Sequence, residues 1–204
     1  MRARVLRLAG VSLGMMIVFT LLLGVLYPLV MTGASQSIFP GRADGSLVKL
    51  NDRVVGSKLA GQGFTSPAYF HSRPSATVPA YQPLPTTFEN LGPDTVALKK
   101  LVDGYVADAL TLEGPYNPGL RARDLPVDMI TTSASGIDPQ ISTANARLQA
   151  RRVAAVRGAP LSRVLAVVAR ETDGRDAGFL GEPGVNVLLL NLDLDQAFGP
   201  PARP

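Results

Sequence analysis

Residues 8–31 read LAGVSLGMMIVFTLLLGVLYPLVM, a run of 24 residues without a charged side chain. At about 1.5 Å per helical residue the run extends roughly 36 Å, more than the roughly 30 Å of a bilayer's hydrocarbon core. The apolar core of a signal peptide is shorter, at about 7–15 residues. The run therefore predicts a single N-terminal transmembrane helix, to which we assign residues 8–32.

The charges around this run predict its orientation. Three arginines precede it within the first seven residues, and the first charged residue after it is Arg42. Basic residues next to a transmembrane helix are retained on the cytoplasmic side. We therefore predict a single-pass membrane protein with a cytoplasmic basic tail at residues 1–7 and an extracytoplasmic domain at residues 33–204.

The composition of the 204-residue chain excludes several classes of protein. It has no Cys, which rules out disulfide frameworks, zinc ribbons and iron–sulfur sites, and its single His cannot supply a His-based metal site. The net charge is +4, from 20 basic and 16 acidic residues, but three of the basic residues lie in the N-terminal tail. The remainder is close to neutral, so we predict no nucleic-acid partner.

Helical patterns appear three times after the apolar run. Apolar residues recur at helical spacing over residues 94–113 and over residues 161–170. Between them, Asp138 followed by a proline is a typical helix start, and Gly158 is a typical stop. We predict three helices, the second of which extends from Asp138 to the residue before Gly158.

Strand patterns lie on either side of these helices. Residues 185–195 alternate in the manner of a central strand whose end becomes polar. Short strands interrupted by glycines are predicted within residues 46–70, and the proline-rich residues 77–93 predict an ordered loop. Together with the helices, these strands predict one mixed α/β domain, of the α+β type, behind the transmembrane helix.

One charged side chain lies on the apolar face of the second predicted helix. At 100° per residue, Arg152 falls within about 60° of Ile141, together with three apolar residues, and Gln149 lies at the adjoining edge. An arginine in an apolar stripe either pairs with a buried carboxylate or contacts a partner protein. The sequence leaves both alternatives open.

The sequence contains the residue types of one catalytic arrangement. His71, a serine such as Ser72, Ser133 or Ser135, and Asp138 supply the residue types of a Ser–His–Asp hydrolase. No Gly-x-x-x-x-Gly-Lys-Ser/Thr loop is present to bind phosphates. A membrane-anchored envelope hydrolase that uses His71 and a serine is therefore one alternative, and a free-standing envelope binding module is another.

Several motifs follow the apolar run in a fixed order. They are Gly56-Ser57-x-Leu59-x-Gly61-Gln62-x-Phe64, Tyr69-Phe70-x-Ser72-Arg73-Pro74-Ser75-Ala76, Ser133-Ala134-Ser135-Gly136-x-Asp138-Pro139-x-Ile141-Ser142, Gln149-x-x-Arg152-Val153-Ala154, and Val185-Asn186-Val187. By these motifs the chain resembles the C subunit of the Kdp potassium-transporting ATPase, a bacterial high-affinity potassium uptake complex. It departs from that family at residues 85–89, where a Ser-Gly-Gly-Ser element is frequent.

The resemblance implies a non-catalytic accessory subunit in the bacterial inner membrane. In that family potassium passes through a channel-like subunit, and a P-type subunit binds ATP and Mg²⁺ and forms an aspartyl phosphate. The C subunit is regarded as an assembly component and a catalytic chaperone that raises the ATP affinity of the P-type subunit, with no cofactor of its own. In agreement, the chain has neither an Asp-Lys-Thr-Gly phosphorylation sequence nor a Thr-Val-Gly-Tyr-Gly filter.

The partners expected from the resemblance are the channel-like and P-type subunits of the same complex and the membrane. Because the domain is predicted to lie outside, an effect on ATP affinity has to travel through the apolar helix or through the partners. Our candidates for partner contact are Arg73, Pro74, Ser75, Ser133, Ser135, Asp138, Gln149 and Arg152. For the loop residues among them, the alternative is a set of turns and helix caps that serve only the domain's own fold.

Overall fold

The chain consists of two units whose boundary lies between Leu47 and Val48. The computed structural model describes residues 2–82 and 90–201, so the departure from the family at residues 85–89 lies outside the described residues. The order of elements confirms the predicted mixed α/β fold, with one long apolar helix followed by an α+β domain. The predicted limits of tail, span and domain, at residues 7 and 32, stay predictions.

The first unit is dominated by one long helix. It consists of α1 (Arg2–Leu21), a π-helical turn (Leu22–Leu26) and α2 (Tyr27–Ile38), and the single turn α3 (Pro40–Ala43) follows it. Pro28 has no N–H to donate to the carbonyl four residues earlier, and the backbone widens into the π turn at this point. The continuous helix Arg2–Ile38 is long and apolar enough to cross a membrane, and none of its residues is buried in the isolated chain.

Two sheets lie in the described residues from Leu47 onward. β1 (Leu47–Leu50) and β2 (Arg53–Ser57) form a two-stranded sheet. β3 (Gln140–Ser142), β4 (Thr172–Asp173) and β5 (Gly184–Asn186) form an antiparallel sheet in the order β3-β5-β4, with Val185 opposite both Ile141 and Thr172. The helices of this part are α4 (Val96–Glu113), α5 (Val127–Ile130), α6 (Thr143–Arg157), α7 (Leu161–Arg170) and α8 (Val187–Phe198).

The core lies where α6, α7 and α8 pack on one another and on β3 and β5. α6 contributes small buried residues, Ala146 and Ala150, so α7 approaches closely with Val164 and Val168. Phe70, from a segment without regular structure, is 0% exposed and fills the same core. The segment around Phe70 must therefore satisfy its backbone polar groups away from water.

Two predicted helices are confirmed. The first begins after Thr95, whose hydroxyl accepts a hydrogen bond from Leu98 N at 3.3 Å, and ends at Glu113 before a Gly-Pro pair. The third, α7, has the predicted bounds. Both are surface helices with one apolar stripe, the pattern for which helical spacing is most informative.

The predicted strand over residues 185–195 is wrong beyond its first residues. The chain is strand only over Gly184–Asn186, and the Asn186 side chain then caps α8 by accepting a hydrogen bond from Leu189 N at 3.2 Å. Six of the eight residues from 187 to 194 are apolar, and both strand alternation and helical spacing can be fitted to this run. The side chains that are buried follow helical spacing, as Leu190 and Leu194 show.

The second predicted helix starts later than expected. Residues 140–142 pair with β5, and Ser142 is the cap of α6, with its hydroxyl accepting a hydrogen bond from Asn145 N at 3.1 Å. The predicted start was wrong because Asp138 instead accepts a hydrogen bond from Gln140 N at 3.0 Å, within a turn. The strand prediction for residues 46–70 holds only for β1 and β2, since residues 58–70 form turns and extended loop.

Candidate functional site

Residues 66–77, which we call the 66–77 segment, cross the domain without regular structure and yet lie largely inside it. Ala68, Phe70, Ala76 and Thr77 are buried. Buried backbone N–H and C=O groups need hydrogen-bond partners, and none of the strands in the described residues pairs with this segment. The partners of the buried groups in residues 67–71 come instead from side chains of α6 and α8.

Two side-chain amides bind the centre of the 66–77 segment. Asn191 of α8 accepts a hydrogen bond from Phe70 N at 2.9 Å and donates one to Phe70 O at 2.9 Å. Gln149 of α6 does the same for His71, accepting from its N–H at 2.8 Å and donating to its carbonyl at 3.0 Å. Each amide thus replaces the two ladder bonds that a strand neighbour would make.

Arg152 lies at the centre of this network and is 0% exposed. Its Nε donates to Glu113 Oε1 at 2.7 Å, and its Nη2 donates to Gln149 Oε1 at 2.9 Å. Its Nη1 donates to the carbonyl oxygens of Pro67 and, at 2.9 Å, Tyr69. Of the two alternatives for this residue, the structure has the internal ion pair, and a partner could reach the guanidinium only after the 66–77 segment had left the core.

Glu113, the last residue of α4, has among the described residues a hydrogen-bond partner for only one of its two carboxylate oxygens. Its Oε1 meets Arg152, whereas its Oε2 is buried and has no hydrogen-bond partner in the described part of the chain. Burial raises the pKa of Glu113, and the charge of Arg152 opposes that rise. Glu113 also lines a cavity of about 240 Å³ together with His71, Pro74 and Tyr105.

A second arginine holds the start of the segment. Arg157 Nε donates to Ala68 O at 2.7 Å, and Arg157 Nη2 donates to Asp195 Oδ1 at 2.8 Å. Tyr69 donates its hydroxyl to Asp195 Oδ2 at 2.7 Å, and the guanidinium lies 4.8 Å from the Tyr69 ring centroid. Burial and the bond to Asp195 raise the pKa of Tyr69. Sequence reasoning missed this triad, whose members are 38 and 126 residues apart.

The two motif loops named as candidates meet in the structure. Arg73 Nη1 forms an ion pair with Asp138 Oδ2 at 3.0 Å, and Arg73 Nη2 donates to Thr132 O at 3.1 Å. Ser75 donates its hydroxyl to Gly136 O at 2.6 Å, and Gly136 has a φ of +70°, a value that favours glycine. The loop of residues 133–138 is thereby fixed to the end of the 66–77 segment.

The remaining candidates differ in how far solvent reaches them. Ser135 is exposed, and its hydroxyl lies 3.2 Å from that of Ser133 and accepts a hydrogen bond from Ile137 N at 3.3 Å. Pro74 is half-buried, as is the Arg73–Asp138 pair. The structure therefore brings together all candidates of the two loops, with Ser135 the most accessible, whereas Gln149 and Arg152 are buried beneath the 66–77 segment.

The residues of the hypothetical hydrolase do not form a triad. His71 Nε2 lies 3.0 Å from Ser66 O, Ser72 donates its hydroxyl to Gln62 O at 3.0 Å, and Asp138 pairs with Arg73. Burial, with the nearby charge of Arg152, lowers the pKa of His71. The Gly-x-Ser-x-Gly sequence of the chain, residues 10–14, lies inside α1 and not at a strand-to-helix turn. Within residues 2–82 and 90–201, no three carboxylate or imidazole side chains cluster as metal ligands.

Sequence comparisons extend over nearly the whole chain. A family model described as K+-transporting ATPase, c chain, matches residues 9–196. The potassium-transporting ATPase KdpC subunit of Koribacter versatilis strain Ellin345 is 48% identical over 184 residues, or 90% of this chain and 92% of that protein. The KdpC subunits of Myxococcus xanthus and Polaromonas naphthalenivorans strain CJ2 are each 50% identical over 185 residues, 90% of this chain and 85% and 92% of theirs.

Proposed function

The chain belongs to the KdpC family, the c chain of K+-transporting ATPases, and from this premise we propose that it is a non-catalytic subunit of such a pump. Its roles in this proposal are to stabilise the assembled complex and to raise the affinity of the P-type subunit for ATP. The observation that carries the proposal is the match of residues 9–196, which includes both the apolar helix and the domain. Its partners are then a channel-like potassium-translocating subunit and the P-type ATPase subunit.

The chemistry of the domain favours a role without catalysis. The side chains best suited to catalysis, His71, Ser72, Asp138 and Glu113, all hydrogen-bond to the chain itself. The sequence has no Asp-Lys-Thr-Gly site for phosphorylation and no Thr-Val-Gly-Tyr-Gly filter for potassium. ATP and Mg²⁺ therefore belong, in this proposal, to the P-type subunit.

The construction of the site suits a rigid contact surface. The 66–77 segment is held by Gln149, Asn191, Arg152 and Arg157, and the loop of residues 133–138 is fixed to its end. A surface that is already ordered loses little conformational entropy when a partner binds it. Arg73, Pro74, Ser75, Ser133, Ser135 and Asp138 thus remain our candidates for the face turned to a partner.

The effect on ATP affinity is transmitted across the membrane in this proposal. The arginines at positions 2, 4 and 7 favour a cytoplasmic N-terminus, which puts the domain on the side opposite the nucleotide. The domain then acts by favouring one conformation of its partners, which is coupling between separate sites. Such coupling typically amounts to about 1–3 kcal/mol, or roughly 5–150-fold in affinity.

Reconstitution of the pump with and without this chain tests the proposed function. The channel-like and P-type subunits are purified without it, inserted into vesicles, and assayed for potassium-stimulated ATP hydrolysis over a range of ATP concentrations. We expect that adding the full-length chain lowers the KM for ATP by about 5-fold or more. An unrelated single-pass protein is the control. An unchanged KM with the chain stably bound would contradict the chaperone role but not the assembly role.

Cysteine labelling tests the orientation cleanly, because the chain has no native Cys. Ala3→Cys places a thiol in the N-terminal tail, and Ser162→Cys places one on the exposed surface of α7. In intact cells a membrane-impermeant maleimide is expected to label Ser162→Cys alone, and in lysed cells both variants. Labelling of Ala3→Cys alone in intact cells would place the domain in the cytoplasm.

A further inference from the structure

The arginines of α6 and α7 fall into two groups. Of the six between positions 147 and 170, four have a partner inside the chain. Arg152 pairs with Glu113, Arg157 pairs with Asp195, Arg170 pairs with Asp193, and the Arg163 guanidinium lies 5.0 Å from the Phe198 ring centroid. Arg147 and Arg151 are exposed, and among residues 2–82 and 90–201 no ion pair or hydrogen bond reaches either guanidinium. These two charges serve no contact within the described fold.

Both unpaired arginines line the same groove between α6 and α7. This α6–α7 groove has a volume of about 550 Å³, with Arg147 and Arg151 on the α6 side and Leu161, Leu165 and Val168 on the α7 side. Leu161 and Leu165 are only partly buried, although they pack against the core below them. The groove therefore presents an apolar floor beneath two positive charges.

Two neighbouring arginines above an exposed apolar floor do not stabilise the domain by themselves. Arg147 and Arg151 lie one helical turn apart, where like charges repel and destabilise the helix. An exposed apolar floor is likewise not stabilising on its own. Both features become favourable when the groove is covered by a surface that carries carboxylates and an apolar side chain, because guanidinium groups bind carboxylates bidentately and arginine is enriched at protein interfaces.

We propose that the α6–α7 groove binds an acidic segment of another subunit of the potassium-transporting complex. Carboxylates of that segment accept hydrogen bonds from Arg147 and Arg151, and an apolar side chain between them covers Leu161 and Leu165. This surface is distinct from the loop candidates around Arg73. The inference rests on the proposed function, since it takes the occupant from the same complex.

Asp124, an acidic residue in the neighbourhood of Arg151, does not pair with either arginine. Asp124 lines a neighbouring cavity that Arg151 also borders. Its carboxylate, however, accepts a hydrogen bond from Arg121 N at 3.0 Å and lies 3.8 Å from Arg123 Nε. Arg151 is therefore free to point into the groove.

A charge-reversal pair tests the proposal in the assembled complex. Arg147→Glu/Arg151→Glu changes the charge of the groove by four units, and Arg53→Glu/Lys58→Glu makes the same change at exposed positions on and beside β2. Each full-length variant is titrated, in detergent, against the other subunits purified as a subcomplex. The dissociation constant is measured at several NaCl concentrations and constant potassium.

We expect the groove variant to bind at least about tenfold more weakly than the wild type, because like charges then face each other. Its affinity is expected to lose the decrease with NaCl that the wild type shows. The control pair is expected to keep the wild-type affinity and salt dependence. Equal affinities for all three proteins would overturn the inference, as would a fall in the melting temperature of the free groove variant that the control does not show.

A photocrosslinker at position 147 identifies the occupant. We expect a crosslinked peptide of another subunit with at least two Asp or Glu residues. A crosslink to phospholipid, or to residues around Asp124 of the same chain, would overturn the inference. These outcomes are separate from failure of the proposed function, in which even the wild-type chain would not bind the subcomplex.

Discussion

Removal of the Arg152 guanidinium is the sharpest test of the internal network. Arg152→Met leaves the buried Glu113 carboxylate without its counter-ion and leaves the carbonyls of Pro67 and Tyr69 without a donor. Breaking a buried ion pair by removing one partner costs about 3–5 kcal/mol. For a chain of this size, that loss lowers the melting temperature by about 6–20 °C.

The loss of stability that comes from the unpaired Glu113 charge depends on pH. Without Arg152, Glu113 can escape the penalty of a buried charge by remaining protonated in the folded state. Keeping the Glu113 carboxyl protonated above its usual pKa of 4.5 costs about 1.36 kcal/mol of folding free energy for each pH unit. The cost is therefore about 3.4 kcal/mol at pH 7 and about 0.7 kcal/mol at pH 5. The folded variant then binds one more proton than its unfolded state, so its stability falls as pH rises.

Denaturant unfolding of the full-length chain in detergent measures these differences. The chain has no Trp and 5 Tyr, so the near-ultraviolet circular dichroism of tyrosine reports on the packed domain. We expect the deficit of Arg152→Met to shrink by up to about 2.7 kcal/mol between pH 7 and pH 5. Arg147→Met, an exposed site on the same helix, is the matched control and should stay within about 0.5 kcal/mol of wild type.

The double variant Arg152→Met/Glu113→Leu completes the experiment. Replacing both members of a buried pair by apolar residues is often neutral, so the double variant should be more stable than Arg152→Met alone. A deficit below about 1 kcal/mol at pH 7 for Arg152→Met, or one that does not change with pH, would refute the buried ion pair. If Arg152→Met were to abolish binding to other subunits with no loss of stability, Arg152 would instead be a partner contact.

Three further predictions concern single positions. The only imidazole of the chain, His71, should titrate by NMR with a pKa below 6.5. Because the unfolded state then binds the proton more tightly, the free energy of unfolding should rise with pH just below 6.5 and level off above it. A pKa at or above 6.5 would contradict the burial of His71. Gly61→Ala should destabilise the domain in a thermal melt, because its Cβ would clash with the backbone carbonyl oxygen of Asp138. Gly104→Ala, in a helix and with nothing within 4 Å of its Cβ, should be neutral or stabilising by about 0.5–1 kcal/mol. Equal effects of the two substitutions would contradict the close approach of Gly61 to Asp138. Asn191→Leu should cost about 2–4 kcal/mol of stability in urea unfolding, since both backbone groups of Phe70 lose their buried partners; a cost below about 1 kcal/mol would show that those groups find other partners.

Local patterns predicted the surface helices well and the buried elements poorly. α7 has one apolar stripe over ten residues, and its bounds match the prediction. The run that became α8 carries apolar residues on more than one face, because much of it is buried in the core, and periodicity then does not separate helix from strand. The cap by Asn186 was the signal available in the sequence, because an Asn before an apolar run is a favoured helix start.

The candidate site shows the same division. The position of Arg152 on the apolar face of its helix predicted an arginine that pairs with a buried carboxylate or contacts a partner protein. The residue is fully buried. Its partner Glu113 lies 39 residues away at the end of a different helix, and no local pattern encodes that distance. The same holds for the pairing of Asn191 with Phe70, 121 residues apart, because a tertiary contact of a non-regular segment has no period along the chain.

Membership of a pump complex is tested most directly by affinity purification of the tagged full-length chain from its own membranes in mild detergent. We expect a channel-like potassium-translocating subunit and a P-type ATPase subunit to co-purify with it in a constant ratio, and the recovered complex to hydrolyse ATP on addition of potassium. Recovery of the folded chain alone, from cells that contain both other subunits, would contradict the assignment as a subunit of that pump.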